Sequence, residues 1–258
     1  MAIITLTSDW GLTDHYVAVV KGAIMTRSPK TTIVDITHSI TKYSLAETSF
    51  IIKNAYKSFP RGTIHLIGVN SDETKGLSHT VVYYDGHYFI GADNGIFSLL
   101  CESPPDKIIS INRIPEPRYK TFPSLDIYVV AACHIAEGEK PEDLGDMKTE
   151  LYKLTGYLPI VEPNAVKGII TYFDTYDNAI TNIPEKIFTE TRQGRKFTVF
   201  FRNEEITEIK KTYSQVADAE IVLVFGSTGL LEIALSKGSA RNLLGLNIYD
   251  QVRIEFEE

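Results

Sequence analysis

The first half of the chain alternates short apolar segments with segments of helical periodicity, and this alternation restricts the possible folds more than any other feature. Ile3–Leu6, Thr32–Ile36 and Thr63–Val69 have the length and apolar content of buried strands. Tyr16–Met25 and Leu45–Phe59 lie between them and repeat apolar residues at helical spacing. Strands and helices in this order predict a three-layer α/β domain, with helices on both faces of a mostly parallel sheet.

The pattern changes after Gly138. Residues 141–163 are rich in turn-forming and charged residues, and they predict a linker with a short strand or two. From Val166 onward, short strand-like segments are separated by turns at regular spacing, as in a small β-barrel. We therefore expect an N-terminal α/β domain of residues 1–158 and a C-terminal β-barrel domain of residues 165–258.

Composition and charge argue against several classes of partner and location. The 258 residues include 26 basic and 33 acidic side chains, and the net charge of −7 argues against a nucleic-acid partner. No apolar stretch approaches the roughly 18 residues that a membrane-spanning helix needs, so we expect no membrane partner. The two cysteines, Cys101 and Cys133, do not fit a disulfide scaffold and predict reduced thiols in a cytoplasmic protein.

The loop after the first predicted strand is rich in carboxylates. It contains Asp9 and Asp14 and leads into the first helix, at the edge of the sheet where α/β proteins bind ligands. A carboxylate there can accept hydrogen bonds from both hydroxyls of a ribose, whereas one glycine and two acids do not suit a phosphate. The structural alternative makes Asp14 the N-cap of the helix, and the composition leaves both interpretations open.

Polar residues also follow the later strands of the first half. His38 is either a base or a ligand, or a structural histidine that bridges loops, and we favour the structural interpretation. Asn94, in the segment Gly91–Gly95, either belongs to a simple turn or is presented to a ligand by a rigid loop.

Two segments of the second half carry candidate binding residues. Asn178 has an amide that can read the edge of an adenine, or it lies in a turn between barrel strands. The small residues around Ser227 allow the backbone to approach a ligand closely. Glu232 is the only charge in the apolar run that follows, and a buried charge needs a partner, which favours a functional role.

Together, these segments resemble the S-adenosylmethionine hydroxide adenosyltransferase family, which also includes fluorinases and chlorinases. Five motifs carry the resemblance in the family's order over nearly the whole chain: Thr7–Val17, Val34–Ile40, Gly91–Gly95, Asp177–Asn182 and Ser227–Ala234. Each motif alone is weak, but five in order are specific. The resemblance implies hydrolysis of S-adenosylmethionine, in which water displaces methionine from the ribose 5′ carbon and adenosine is released.

The resemblance also implies a site and an assembly. It implies a homotrimer, with each site between the N-terminal domain of one subunit and the C-terminal domain of its neighbour. By position, Asp9 holds the ribose hydroxyls, Asn178 contacts adenosine and Tyr43 lies against the ligand. Ser227 and Glu232 bind the methionine end, where a carboxylate suits the ammonium group. The implied substrate-binding residues are Asp9, Asp14, Tyr43, Asn94, Asn178, Ser227 and Glu232. S-adenosylmethionine is the substrate, and no metal or further cofactor is implied.

The sequence departs from the family where the hydrolases have an aspartate, an arginine and a histidine that orient and activate the water. Asn70 replaces the aspartate, Pro123 replaces the histidine, and no arginine occurs in the loop Val69–His79. An asparagine can position a water but cannot take its proton at neutral pH.

Other side chains of the altered loop are candidates to replace the missing groups. We predict Asn70, Lys75 and His79 as the catalytic residues, with Asp72 and Glu73 as alternatives. The ordinary pKa of a histidine suits a base at neutral pH best. Three functions therefore stay open: a hydrolase with a rearranged loop, a protein that binds S-adenosylmethionine or adenosine without turnover, and an enzyme that uses a halide, which has the weakest support.

Overall fold

The computed structural model describes residues 2–72, 76–116 and 120–257. The chain divides into two compact units, Met1–Gly156 and Tyr157–Glu258. The first unit combines a mixed sheet with helices, and the second is built mainly from antiparallel strands. The predicted fold class, an α/β domain followed by a small β domain, is therefore confirmed.

The N-terminal unit is a sheet between two helical layers. Its described strands are β1 (Ile3–Ser8), β2 (Thr32–Thr37), β3 (Ile64–Gly68), β4 (His79–Tyr84), β5 (His87–Ala92), β6 (Lys107–Ile111) and β7 (Gly145–Met147). Its described helices are α1 (Tyr16–Arg27), α2 (Leu45–Ala55), α3 (Ile96–Leu100) and α4 (Val129–Ala136). Short 3₁₀ turns are formed by Tyr56–Ser58 and Pro141–Leu144, and a π-helical turn, Ser124–Tyr128, leads into α4.

The described strands of this unit lie in the order β2-β1-β3-β5-β4-β6-β7. The pairs β1–β2, β1–β3 and β3–β5 are parallel, whereas β5–β4, β4–β6 and β6–β7 are antiparallel. The sheet that we predicted as mostly parallel is thus mixed. A hairpin at Asp85 and Gly86 is the cause, since their φ values of 50° and 80° fit a type I′ turn that reverses the chain between β4 and β5.

Alternating side chains along the central strands build one core on each face of this sheet. Ile64 and Leu66 of β3 pack with residues of α1 and α4, whereas Ile67 packs with residues of α2 and α3. The helices therefore cover both faces, as predicted. Because Ser8 of β1 pairs in parallel with Gly68 of β3, the loops that follow these two strands leave the sheet at the same edge.

The C-terminal unit is an antiparallel sheet with two short helices. Its described strands are β8 (Ile160–Glu162), β9 (Ala165–Phe173), β10 (Ala179–Pro184), β11 (Phe197–Phe201), β12 (Glu204–Ile206), β13 (Ile221–Phe225), β14 (Leu230–Leu235) and β15 (Gln251–Phe256). Its described helices are α5 (Glu185–Arg192) and α6 (Ala240–Leu243).

This second sheet curls until it is nearly a barrel. The strands lie in the order β12-β11-β15-β9-β10-β14-β13, with β8 also paired to β9. Residues 165–169 of β9 pair with β15 and residues 170–173 pair with β10, so β9 forms a corner between the two halves. A bridge between Lys210 and Val224 brings the chain that follows β12 alongside β13, which nearly closes the sheet.

Two further sequence expectations concern membranes and thiols. No helix in the described parts of the chain combines the length and the apolar content that a membrane span requires. Cys101 and Cys133 are free, and Cys133 is buried whereas Cys101 is half-buried. Burial raises the pKa of Cys101 to about 12 and that of Cys133 to about 11, so both stay protonated at neutral pH.

Candidate functional site

A polar pocket lies at the edge of the N-terminal sheet where β1 and β3 end. It has a volume of about 290 Å³, near the lower end of the range of roughly 300–1,000 Å³ that is common for small-molecule sites. Four predicted site residues, Asp9, Asp14, Tyr43 and Asn70, line it together with Asp72. We call it the N-terminal pocket.

Asp9 is the buried carboxylate of this pocket. Its side chain follows the last residue of β1, and its Oδ2 accepts a hydrogen bond from the backbone N–H of Tyr43 at 2.9 Å. The Lys42 ammonium donates to the backbone carbonyl of Asp9. No described residue donates to the second oxygen, Oδ1, which is therefore available to a ligand.

Tyr43 presents its ring to the pocket from a strained backbone. Its φ is 65°, and its side chain is 66% exposed. The next residue, Ser44, caps α2 by accepting a hydrogen bond from the N–H of Glu47. The bond to Asp9 on one side and the helix cap on the other fix the backbone of Tyr43, although its ring faces solvent.

Aromatic side chains form a second wall of the N-terminal pocket. The ring of Phe122 contacts the rings of Trp10 and Tyr16, with centroid distances of 5.2 and 5.1 Å. Trp10 lies directly over Gly68, where a Cβ atom would come within 2.2 Å of the indole. Gly68 thus allows the indole to pack against the end of β3.

His38 has the structural role that we favoured. Its Nδ1 is 2.7 Å from Ser8 Oγ, its Nε2 is 3.2 Å from Asp35 Oδ1, and its ring stacks with Trp10. Burial acts to raise the pKa of Asp35, but the hydrogen bond from Lys21 and the nearby imidazole of His38 outweigh it and leave that pKa below its usual value. His38 therefore ties the end of β1 to β2 behind the aromatic wall.

The structural alternative for Asp14 is wrong. Helix α1 begins after His15, which is its N-cap residue, and no side chain caps it. Asp14 lies one residue earlier, is exposed and lines the N-terminal pocket. Its carboxylate is available to a ligand or to solvent.

Asn94 supports the pocket from behind. It is 8% exposed, and its Nδ2 donates to the backbone carbonyl of Asn70 at 2.8 Å. Asn70 itself has a φ of 46°, and this bond holds its left-handed backbone in place. The neighbouring Asp93 accepts hydrogen bonds from Lys148 and from the N–H of Tyr152. The segment Gly91–Gly95 is thus a rigid loop that fixes other loops, and Asn94 does not line the pocket.

The predicted catalytic residues fall in different places. Asn70 lines the N-terminal pocket, whereas His79 lines a separate cavity of about 240 Å³ that also includes Pro123. His79 Nδ1 lies 2.9 Å from the buried hydroxyl of Tyr128. Lys75 and the alternative Glu73 lie outside the described residues.

Among the described residues of the altered loop, Asp72 is the titratable side chain that lines the N-terminal pocket. It is exposed, and it lies close enough to Tyr128 for its charge to add to burial in raising the pKa of that hydroxyl. From the sequence, Asp72 is an alternative to His79 for the catalytic base. Of the two, Asp72 lines the N-terminal pocket and His79 lines the separate cavity.

A second pocket, which we call the C-terminal pocket, lies in the barrel unit. It has a volume of about 640 Å³, and its lining residues are Tyr176, Asn178, Tyr213, Leu235, Lys237, Gly238 and Ser239. Asn178 is the predicted site residue among them. Because this pocket is larger than the N-terminal pocket and its walls include the rings of Tyr176 and Tyr213, it fits a flat, partly apolar group.

Carboxylates hold the walls of the C-terminal pocket together. Asp174 accepts hydrogen bonds from both the N–H and the Nδ2 of Asn178, each at 2.9 Å. Asp177, with a φ of 61°, accepts bonds from Ser239 and Asn242 at the start of α6. The loop between β9 and β10 is therefore tied to the opposite wall of the pocket.

Glu232 lies behind this pocket on β14 and is 4% exposed. The hydroxyl of Tyr213 donates to its Oε2 at 2.6 Å. Burial raises the pKa of Glu232, the bond from Tyr213 acts to lower it, and the charge of Asp174 raises it further. Ser227 lies in the exposed turn between β13 and β14 and is not among the residues that line the C-terminal pocket.

Sequence reasoning missed Tyr213 as a site residue, and it did not assign Asp174 a role of its own. Both lie next to predicted residues in space, Tyr213 beside Glu232 and Asp174 beside Asn178. The unusual charge at Glu232 was the available signal, because a buried carboxylate requires a donor. For metals, the described residues contain no group of three or more His, Cys, Asp or Glu side chains arranged to hold an ion.

Comparison with known proteins decides the family. The family model of the SAM hydroxide adenosyltransferase N-terminal domain matches residues 4–145, and that of the C-terminal domain matches residues 168–253. This chain belongs to the SAM hydroxide adenosyltransferase family. The two matched regions coincide with the α/β unit and the barrel unit, so both halves of the family architecture are present.

Individual SAM hydroxide adenosyltransferase relatives match over nearly their full lengths. A protein of Thermus thermophilus named (R)-S-adenosyl-L-methionine hydrolase is 32% identical, over 96% of this chain and 97% of the relative. A protein of the same name from Methanocaldococcus jannaschii is 28% identical, over 98% and 95%. The crystal structure of a conserved protein from Thermotoga maritima superposes with a TM-score of 0.89 at 28% identity, covering 98% of this chain and 99% of that one.

Proposed function

We propose that this protein hydrolyses S-adenosylmethionine, with attack of water on the ribose 5′ carbon and release of adenosine and methionine. The buried carboxylate of Asp9 carries the proposal, since it lies at the strand end with one oxygen held and the other available. Membership of the family and the names of the Thermus and Methanocaldococcus relatives support it.

The reaction asks little of the protein beyond position and electrostatics. The sulfonium of S-adenosylmethionine is already a good leaving group, so methionine departs without an acid catalyst. The protein must align a water opposite the C–S bond and exclude bulk solvent. In this proposal Asp9 accepts hydrogen bonds from the ribose hydroxyls, and Tyr43 and Asp14 lie against the ligand. S-adenosylmethionine is the substrate, and no further cofactor takes part.

Asn70 and Asp72 are the proposed water-handling residues. Asn94 fixes the backbone of Asn70, so that the amide of Asn70 is held at the wall of the N-terminal pocket, where it can position a water. Asp72 lines the same pocket, and its carboxylate can act as the base that accepts the proton of the water. We prefer Asp72 to His79 as the base because His79 lines the separate cavity and contacts Tyr128.

We further propose that the protein acts as a homotrimer, in which the N-terminal pocket of one subunit meets the C-terminal pocket of a neighbour. The locations of the proposed ligand-binding residues support this arrangement. Asp9, proposed to bind the ribose, lies in the N-terminal unit, and Asn178, proposed to contact adenosine, lies in the C-terminal unit. The sequence assignment of Ser227 to the methionine end stays a prediction, and so does a cytoplasmic location.

A second function, binding of S-adenosylmethionine or adenosine without turnover, is favoured by one specific observation. Asn70 and Pro123 occupy the positions where the hydrolases that the sequence resembles have an aspartate and a histidine. The binding residues are retained in this case, and the water-activating residues are lost.

Incubation of the purified protein with S-adenosylmethionine at neutral pH separates the two functions. Adenosine and methionine are followed by chromatography, binding is followed by calorimetry, and Asp9→Ala is the control variant. We expect adenosine release that Asp9→Ala abolishes. Tight binding without product would favour the binding protein, and a lack of both would overturn the assignment of the ligand.

A further inference from the structure

The contacts of Glu232 indicate a role that differs from the one implied by the resemblance. We propose that Glu232 is a positioning residue that fixes Tyr213 in the wall of the C-terminal pocket, and that it does not bind the ammonium group of methionine. The inference rests on the proposed function, in which Asn178 of the same pocket contacts adenosine.

The carboxylate of Glu232 is held inside the unit by one hydrogen bond and by close packing. Oε2 accepts the hydrogen bond from Tyr213, and Oε1 packs so closely on Gly226 that a Cβ atom there would lie 1.8 Å away. Tyr213 lines the C-terminal pocket, whereas Glu232 does not. An ammonium group that bound Glu232 directly would have to pass the wall that Tyr213 forms and reach a carboxylate that is 4% exposed.

The backbone of Tyr213 is fixed independently of Glu232. Thr212 and Gln215 form a reciprocal capping box around the 3₁₀ turn Tyr213–Gln215. The Tyr213 side chain itself is 42% exposed, so its hydroxyl bond to Glu232 is what sets the direction of the ring. Loss of the carboxylate would leave the backbone in place and free the ring.

The same arrangement occurs twice in this pocket. Asp174 lies behind Asn178 and accepts its amide hydrogens, just as Glu232 lies behind Tyr213 and accepts its hydroxyl hydrogen. In each case a carboxylate orients a neutral side chain that lines the pocket. A wall of oriented neutral groups suits an uncharged purine base better than a cation, because the carboxylates are already paired with donors.

Three variants test the pair by calorimetry with adenosine and with S-adenosylmethionine. Glu232→Gln keeps an acceptor for the Tyr213 hydroxyl but removes the charge, Glu232→Leu removes both, and Tyr213→Phe keeps the ring but removes the donor. The exposed acid Glu205 on β12 provides a matched control, Glu205→Gln. Thermal unfolding of each variant shows whether the barrel is intact.

We expect Glu232→Leu and Tyr213→Phe each to weaken adenosine binding by roughly 10-fold, the usual scale for a hydrogen bond to a charged group. S-adenosylmethionine binding should weaken by the same factor. Glu232→Gln should retain binding of both ligands to within about threefold, and combining Glu232→Leu with Tyr213→Phe should add no further loss, because the two residues act as one unit.

Other outcomes overturn the inference. If Glu232→Gln weakens S-adenosylmethionine binding and leaves adenosine binding unchanged, Glu232 contacts the amino-acid end. If wild-type protein binds adenosine and none of the variants alters that binding, the pair has no positioning role, although the proposed function stands. If the wild-type protein binds neither ligand, the proposed function fails and this inference fails with it.

Discussion

The two pockets of the molecule use carboxylates in opposite ways. In the N-terminal pocket, Asp14 and Asp72 face solvent, and Asp9 keeps one oxygen available. In the C-terminal pocket, Asp174 and Glu232 are bonded to neighbouring side chains, and the neutral partners line the cavity. The difference fits the proposed function, in which the first pocket binds hydroxyls and accepts a proton and the second binds an uncharged, flat group.

Of the substitutions considered, replacing Asp72 in the N-terminal pocket should have the largest effect on activity. We expect Asp72→Asn to lower kcat by roughly 100-fold or more, the scale of a lost general base, with KM nearly unchanged. The reason is that asparagine keeps the size of the side chain but cannot take a proton. Steady-state kinetics at neutral pH, with kcat and KM determined separately, provide the measurement.

Two further variants serve as controls for Asp72. Asp14→Asn removes another exposed acid of the same pocket and should change kcat much less. His79→Gln should also have a small effect, since His79 lines the separate cavity. A larger loss of kcat in His79→Gln than in Asp72→Asn would identify the histidine as the base.

The hydroxyl-binding role of Asp9 gives the next largest effect. We expect Asp9→Asn to weaken adenosine binding by roughly 10–100-fold, because the amide that replaces the carboxylate removes its charge and one of its acceptor oxygens. Calorimetry with 2′,3′-dideoxyadenosine sharpens the test, since that ligand lacks the 2′ and 3′ hydroxyls that Asp9 is proposed to hold. Equal losses for both ligands would mean that Asp9 supports the pocket without contacting the ribose.

Two glycines allow each pocket to be perturbed separately. A Cβ atom at Gly68 would meet Trp10 at 2.2 Å, and one at Gly226 would meet Glu232 at 1.8 Å. We expect Gly68→Ala and Gly226→Ala each to cost about 1–3 kcal/mol of unfolding free energy, as overpacked positions do. Denaturant titration measures this cost, and adenosine binding should fall more in Gly226→Ala if the C-terminal pocket recognises the base.

Gly22 provides a matched control for these substitutions. It lies inside α1, and an added Cβ would have no atom within 4 Å. Gly22→Ala should therefore stabilise the protein by about 0.5–1 kcal/mol through helix propensity, without altering binding. If Gly22→Ala were destabilising, the losses in Gly68→Ala and Gly226→Ala could not be attributed to steric overlap of the added Cβ atom alone.

The N-terminal pocket was easier to predict than the C-terminal one because its residues follow from a rule of topology. Parallel strands such as β1 and β3 end at one edge, so polar residues directly after them, such as Asp9 and Asn70, converge whatever the details of the loops. Asn94 shows where this rule stops, since it follows β5 but turns its amide toward the backbone of Asn70.

The C-terminal pocket depends on pairings that no local pattern specifies. Tyr213 meets Glu232 across 19 positions in sequence, and Asp177 meets Asn242 across 65. Strand β10 is also hard to recognise from sequence, because its Thr181 and Asn182 interrupt the apolar pattern, although Thr181 is fully buried. The order of β-barrel strands, which a single sequence does not reveal, decides which of these side chains become neighbours.

The two units should also respond differently to acid. All six histidines of the chain lie in the N-terminal unit, and the imidazoles of His65 and His87 are both buried, with 3.2 Å between His65 Nε2 and His87 Nδ1. Burial, together with the charge of His87, lowers the pKa of His65 to about 3, and burial also lowers the pKa of His87. In the C-terminal unit, burial instead raises the pKa of Glu232.

The signs of these shifts predict the pH dependence. A histidine whose pKa is depressed by folding costs stability as the pH falls below its unfolded value near 6.5, because the unfolded chain then binds more protons. A glutamate whose pKa is raised contributes its stability at low pH and loses it as the pH rises through its folded pKa. When the pH falls from 7.5 to 5.5, we expect the unfolding free energy of the N-terminal unit to decrease by about 1–3 kcal/mol. The scale is roughly 1.4 kcal/mol for each histidine and each pH unit below the unfolded pKa.

Trp10 is the single tryptophan of the chain and lies in the N-terminal unit, so its fluorescence during denaturant unfolding reports on that unit. Hydrogen exchange of β13 and β14 reports on the barrel. Because acidification does not destabilise a folded state in which the pKa of Glu232 is raised, we expect no loss of protection there between about pH 7.5 and 5.5. Replacing the buried pair by His65→Asn and His87→Gln should flatten the pH dependence of the Trp10 signal, whereas the exposed control His15→Gln should leave it unchanged. In the wild-type protein, the denaturant midpoint of the Trp10 fluorescence change could instead stay constant from pH 7.5 to 5.5. The buried histidines would then not lower the unfolding free energy of the N-terminal unit on acidification, and the two units would not differ in this respect.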